Sequence, residues 1–204
     1  MTTLYLIRHA QSQPHPNQAE PNWPLSALGA DQARGLVAVL QPLGIRRLYC
    51  SPYRRCRDTL APFADAAGLK LVPDAGLRER RIAAVWVHDF REVWRRSWGD
   101  FSYAVEGGES SWTCRARIAA AVEAMIARHP GETIGLGSHG NAIGLFMNYV
   151  DPAFGLAEAT RIRTPEILKV VQRGGELVWD RAFSAGAAFD KLATDFRATP
   201  GVIA

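Results

Sequence analysis

The chain has 204 residues, 48% hydrophobic and 22% charged, with a formal net charge of +4. These values exclude global disorder and collagen-like sequence, and they suit one α/β domain better than two. No run approaches the ~18 consecutive apolar residues that cross a bilayer, and Arg8 interrupts the opening apolar run, so a soluble, unexported protein without membrane contact is expected. Cys50, Cys56 and Cys114 are too few and odd in number for a disulfide framework and contain no CxxC pair, which predicts a reducing cytoplasm and no metal site.

Only Lys70, Lys169 and Lys191 are lysines, so the basic surplus is guanidinium, the group that grips phosphate and carboxylate through a planar fork. Arginines cluster at Arg46-Arg47, Arg54-Arg55-Arg57 and Arg78-Arg80-Arg81. Most would be solvated surface charges. A nucleic-acid surface built from Arg46 to Arg57 with Tyr49 and Tyr53 interleaved is a competing use, disfavoured by the modest net charge.

Along the chain, Thr3 to Ile7 is a short apolar β-prone run that stops at Arg8-His9, as a buried strand ends at a polar turn. Four prolines between Gln11 and Pro24 predict an irregular loop. Ser26 caps a helix that Pro42 and Gly44 end, Arg47 to Ser51 is a second strand, and a helix follows from about Tyr53 to Ala67, closed by Gly68. Leu69 to Val72 is a third strand.

Aromatic residues Trp86, Phe90, Trp94 and Trp98 recur every fourth position, which on a helix gathers large rings on one face. A helical cap over residues 84–110 is expected, with Trp94 and Trp98 as an apolar lid that sets selectivity. Glu106 to Ser110 break that helix and cap the next, from about Ser111 to Arg128. Glu132 to Gly137 form a strand ending in Ser138-His139-Gly140, and a helix runs from about Asn141 to near Pro152. Ile167 to Val171 and Leu177 to Trp179 form a closing hairpin, and residues 184–204 read as a peripheral tail. The alternation predicts a single domain, a three-layer α/β/α sandwich around a doubly wound, mostly parallel sheet.

In open α/β sheets, sites form beyond the carboxyl ends of the strands, and two strands here end in histidine, at His9 and His139. If they are neighbours, the histidines meet. His88 and His129 are read as solvent-facing, and Cys50 and Cys56 as buried.

LIRHAQS at Leu6 to Ser12, LSALGADQA at Leu25 to Ala33, SPYRRCRDT at Ser51 to Thr59, LRE at Leu77 to Glu79, GGES at Gly107 to Ser110 and SHGNAI at Ser138 to Ile143 together resemble the histidine phosphatase superfamily, the phosphoglycerate mutase-like fold. The resemblance implies His9 as the nucleophile that becomes a phosphohistidine, Arg8 and Arg55 as grips on the phosphate oxygens, and His139 as a further oxygen ligand, cationic while phosphate is bound. Glu79 resembles the family's acid. No metal or other cofactor is implied, and the partner is a small phosphorylated metabolite, with homo-oligomerisation left open and no nucleic acid expected.

Departures from the family pattern bear on substrate. His15 stands where many relatives carry asparagine, Asp58 where glutamine is usual, and RRIAAV after Glu79 lacks the usual glycine. Gln11 and Ser12 either line the pocket or form the turn. Glu109 and Ser110 either lie at its rim or cap a helix, while Asn141, Arg161 and Arg163 are further candidates for substrate contact. The family's mutase run Arg-His-Tyr-Gly is missing, so the expectation is a metal-independent phosphatase; a cofactor-dependent phosphoglycerate mutase and a weak, phosphate-binding pseudo-enzyme are the alternatives.

Overall fold

The computed structural model describes residues 1–84, 87 and 89–195. The sequence expectations for Trp86, His88 and residues 196–204 lie outside the described residues.

The sheet forms from runs that are apolar on both faces, because helices cover both faces. Strand β1 (Thr2–Arg8) turns Leu4 and Leu6 to one core and Tyr5 and Ile7 to the other, the period-two alternation of a pleated strand. With β2 (Arg47–Cys50), β3 (Leu71–Pro73), β4 (Thr133–Ser138), β5 (Glu166–Arg173) and β6 (Glu176–Trp179) it makes a sheet of order β3-β2-β4-β1-β5-β6. The first four are parallel, and β5 and β6 add antiparallel at one edge.

Helices α1 (Ala27–Leu40) and α2 (Arg54–Ala67) pack Leu36, Leu40, Leu60 and Phe63 on one face. On the other, α4 (Ser111–Arg128) and α5 (Gly140–Val150) supply Ile118, Val122 and Phe146. The three layers and the mostly parallel sheet match the expectation. Each fully buried large apolar side chain contributes about 1.5–3 kcal/mol.

Caps define the helix ends. Ser26 Oγ accepts from Gly29 N at the start of α1, Ser110 Oγ from Thr113 N at the start of α4, and left-handed Gly44 and Gly68 close the segments before β2 and β3.

Two expectations need correction. The aromatic segment does not bury its rings on one face of one long helix: α3 spans only Phe90–Gly99, capped by Asp89, and Trp94 and Trp98 diverge. Trp98 packs edge-on against Phe101, which packs against Trp112, with the Trp98 ring over Gly144 of α5. Nor are residues 184–195 peripheral. Helix α6 (Ala187–Leu192) lies on α1, Phe189 is buried, and Thr194 bridges Thr164. The segment is retained because Gln32, buried in α1, donates to the carbonyls of Thr164 and Leu192.

Candidate active site

Parallel pairing of β1 with β4 sets Arg8 beside Ser138, so the two polar strand ends sit at one level of the sheet. His9 N donates to the Ser138 carbonyl at 3.1 Å, and Ser51 N, at the end of β2, donates to the Gly137 carbonyl at 2.8 Å. Three strand ends thus converge where the strand order folds back on itself. The His9 and His139 rings meet edge-to-face with centroids 5.2 Å apart.

The His9 ring is fixed by its own turn. Nδ1 lies 2.7 Å from the Ala10 carbonyl, an acceptor only, so Nδ1 carries the hydrogen and Nε2 keeps its lone pair. Nε2 accepts from Arg55 Nε at 3.2 Å. Burial, then the charges of Arg55 and Arg8, hold the ring well below the ordinary histidine value, which keeps it neutral and nucleophilic. Thr59 couples the two sides: its Oγ1 accepts from Ala10 N and donates to the Arg55 carbonyl, joining the His9 turn to α2.

The two arginines are held by carbonyls and carboxylates. Arg8 Nη1 donates to the Ile162 carbonyl at 2.9 Å, and burial brings its guanidinium down to about 10, still cationic at neutral pH. A side chain at Gly140 would place Cβ 3.2 Å from the Arg8 guanidinium carbon, so glycine there lets α5 start against the arginine. Arg55 lies over the Tyr53 ring at 5.1 Å and donates through Nη2 to Glu20 Oε1 at 2.7 Å and through Nη1 to the Glu20 carbonyl at 2.9 Å.

Glu79 is held at the N-terminus of α5. Its Oε1 accepts from Ala142 N and Arg80 N, and Oε2 from Asn141 N at 3.2 Å. Burial raises its pKa and the Glu20 charge adds to that, while the bonds from Arg80 N and Ala142 N and the charge of Arg55 pull the other way; the net shift is upward. A carboxyl raised in this manner can hold a proton to give.

A cavity of ≈ 540 Å³ is lined by the charged and polar groups of Arg8, His9, Arg55, Glu79 and Asn141 and by the apolar side chains of Pro14, Pro16, Trp23, Ile82, Val87 and Trp94, with Trp23 5.5 Å from the Arg55 guanidinium.

Ser12, Asn141 and Trp94 line this cavity. Other predicted contacts do not. Gln11 is buried in the turn, its Oε1 accepting from Ser26 Oγ; His15 is exposed, its Nδ1 accepting from Asn17 N. Glu109 is buried between Arg78 and Arg117, and these two pairs outweigh the burial that would raise its carboxyl, keeping it below the usual carboxylate range. Ser110 is the α4 cap, and Trp98 lies against α5. Arg163 pairs with Glu166 and Asp190.

His139 sits beside His9 yet is fully enclosed, its Nε2 2.7 Å from Ser51 Oγ and 3.4 Å from Cys56 Sγ. Burial and the charges around it hold its pKa well below the ordinary value, so it is neutral here and does not reach the cavity wall. Among the described residues its Nδ1 has only Cys56 Sγ, at 3.9 Å. His129 also departs from expectation: it takes the Tyr49 hydroxyl at 2.8 Å rather than facing solvent. Tyr49 is buried, Tyr53 packs against His139 and Arg55, and Arg47 and Arg54 pair with Glu132 and Asp58.

Sequence reasoning missed Glu20, Tyr53, Thr59 and Ser51. Tyr53, Thr59 and Ser51 lie within or beside the SPYRRCRDT run, where proximity to Arg55 was a readable signal; Glu20 lies in a proline-rich loop with no periodicity to read.

The profile of the Histidine phosphatase superfamily (branch 1) matches residues 4–179. Probable phosphoglycerate mutases GpmB from Enterobacter sp. (strain 638) and Escherichia coli are each 29% identical over 161 residues, covering 74% of this chain and 75% of theirs. A mycobacterial glucosyl-3-phosphoglycerate phosphatase in complex with inorganic phosphate shares the fold with TM-score 0.74 at 21% identity, over 92% of this chain and 98% of that one. A phosphoserine phosphatase mutant from Entamoeba histolytica, in complex with phosphoserine, does so with TM-score 0.75 at 19% identity, over 88% and 95%.

Proposed function

The chain belongs to the histidine phosphatase superfamily, and from that premise we propose that it is a metal-independent phosphatase hydrolysing a small phosphate monoester through a phosphohistidine on His9. The observation that carries this reading is the His9 ring itself: Nδ1 is committed to the Ala10 carbonyl, leaving an unprotonated Nε2 beside Arg55 in the cavity.

In the proposed first step the Nε2 lone pair attacks phosphorus, the P–O bond to the alcohol breaks, and the Glu79 carboxyl gives its proton to the leaving oxygen. Arg8 and Arg55 stabilise the nonbridging oxygens as charge spreads over them. In the second step the Glu79 carboxylate takes a proton from water, the water oxygen attacks phosphorus, the P–N bond breaks, and inorganic phosphate leaves with His9 restored. His139, edge-on to His9 and bonded to Ser51 Oγ, is a positioning residue; its service as an oxygen ligand belongs to the phosphate-bound state.

Hydrolysis is favoured over a mutase reaction by the cavity lining. Among the described residues of that lining, the basic groups are Arg8 and Arg55, which take the phosphate, and Arg80, which is buried and whose guanidinium donates to the Glu109 carbonyl and Ser111 Oγ. A phosphoglycerate or a bisphosphorylated primer brings a further anion that needs its own cation. The test is release of phosphate from a chromogenic monoester in EDTA by wild type and His9→Ala. Turnover abolished in the variant is expected; unchanged turnover in the variant, or interconversion of phosphoglycerates raised by a bisphosphorylated primer, contradicts the reading.

A further inference from the structure

Glu20 is a cavity carboxylate that the proposed chemistry leaves unused. It opens a short 3-10 turn, and its side chain is about one-third exposed, 32%. Its carboxylate and carbonyl hold the two terminal nitrogens of Arg55, whose remaining nitrogen faces His9. The carboxylate therefore stands one guanidinium away from the nucleophile, with Asn17, Gln18 and Trp23 beside it on the wall.

Resting on the phosphatase reading, we propose that Glu20 is a specificity residue that rejects esters carrying a second anion, so that the substrates are monoesters of apolar alcohols without an acid group. Arg55 and Glu20 neutralise one another across a 2.7 Å ion pair. A phosphate dianion claims the Arg55 charge, and the Glu20 charge is then uncompensated toward the rest of the ligand. Glu79, when ionised, adds to the same field. A carboxylate on the alcohol meets these groups, because Arg80, the remaining basic residue in the described lining, is 1% exposed and buries its guanidinium against the Glu109 carbonyl and Ser111 Oγ; an apolar alcohol meets Pro14, Pro16, Trp23, Ile82, Val87 and Trp94.

The test uses a matched pair of non-hydrolysable ligands, phenylphosphonate and 4-carboxyphenylphosphonate, titrated calorimetrically into wild type and Glu20→Gln at low salt. Wild type is expected to bind phenylphosphonate, the member without the carboxylate, roughly tenfold more tightly, and Glu20→Gln to narrow that ratio to about twofold, as removal of one like charge across an open cavity predicts. A loss of fold or of Arg55 positioning would weaken both ligands alike and leave the ratio unmoved. Equal affinities in wild type, or a ratio unchanged in Glu20→Gln with phenylphosphonate affinity kept, would overturn the proposal; where Glu20→Gln weakens both ligands alike, the wild-type ratio is measured at rising salt, and a ratio that does not shrink overturns it. Hydrolysis of phenyl phosphate is measured on the same samples. No hydrolysis alongside the expected binding ratio would overturn the phosphatase reading and leave the role of Glu20 supported.

Discussion

Arg55 Nε lies 3.2 Å from His9 Nε2, so the guanidinium already touches the nitrogen that would attack phosphorus. Burial and this guanidinium keep the imidazole neutral, and the guanidinium marks where a transferred phosphoryl group sits. Replacing Arg55 by lysine keeps a charge and loses the planar fork. It should lower kcat/KM by about 100-fold, as loss of one oriented transition-state donor does. A reduction below about threefold in steady-state hydrolysis would show that the fork is not needed.

Hydrolysis should have an acidic optimum. His9 must be neutral, and its lowered pKa meets that requirement below the ordinary histidine range; Glu79 must be protonated, and its raised pKa extends that state above the ordinary carboxyl range. Because the Glu20 charge is one cause of the raised Glu79 value, Glu20→Gln should move the alkaline limb of the kcat profile to lower pH. An alkaline limb that stays in place, or moves up, would argue against Glu79 as the acid.

Stability should fall with acid. His9 and His139 are buried and neutral, with folded values well below the 6.5 of the free side chain. The unfolded chain therefore binds more protons below about pH 6.5, and stability present above that pH is lost as pH falls toward the folded values. Each ring contributes a slope of up to about 1.4 kcal/mol per pH unit in that window. Urea unfolding at pH 7 and at pH 5.5 in phosphate-free buffer measures this; His139→Asn should flatten the dependence, and an unchanged slope would contradict it.

Two residues that read from sequence as substrate contacts should behave as structural ones. Glu109→Gln leaves Arg78 and Arg117 without their shared carboxylate and should cost about 2 kcal/mol in unfolding free energy, with partner exposure limiting the loss. Trp98→Ala should cost about 2–3 kcal/mol by opening a gap over Gly144. Neither should reorder preference among phosphate esters, while Trp94→Ala, on the cavity wall, should. A reordering by Trp98→Ala with none by Trp94→Ala would reverse the assignment.

The fold was largely legible because its signals are local: apolar runs bounded by Arg8 and Ser138, caps at Ser26 and Ser110, and glycines at 44 and 68 each act within a few residues. The convergence of His9 with His139 was also legible, since both end a strand of one sheet. The side chains around them were less so. Whether Glu109 faces substrate or an ion pair depends on where Arg78 and Arg117 come to rest, which no spacing encodes. Trp94 and Trp98 share a four-residue period, but α3 is short and tilts only one of them to the cavity. Glu20 acts through a loop whose path is set by Gln11 contacts to Ser26 and α1.

The most direct measurement is mass spectrometry of the protein quenched in base within the first turnovers of an aryl phosphate in EDTA, since a phosphoramidate survives base. The account predicts a phosphoryl group on the peptide containing His9, lost in His9→Ala together with turnover. Turnover with no phosphoryl group on His9, or with the group on another residue, would contradict it.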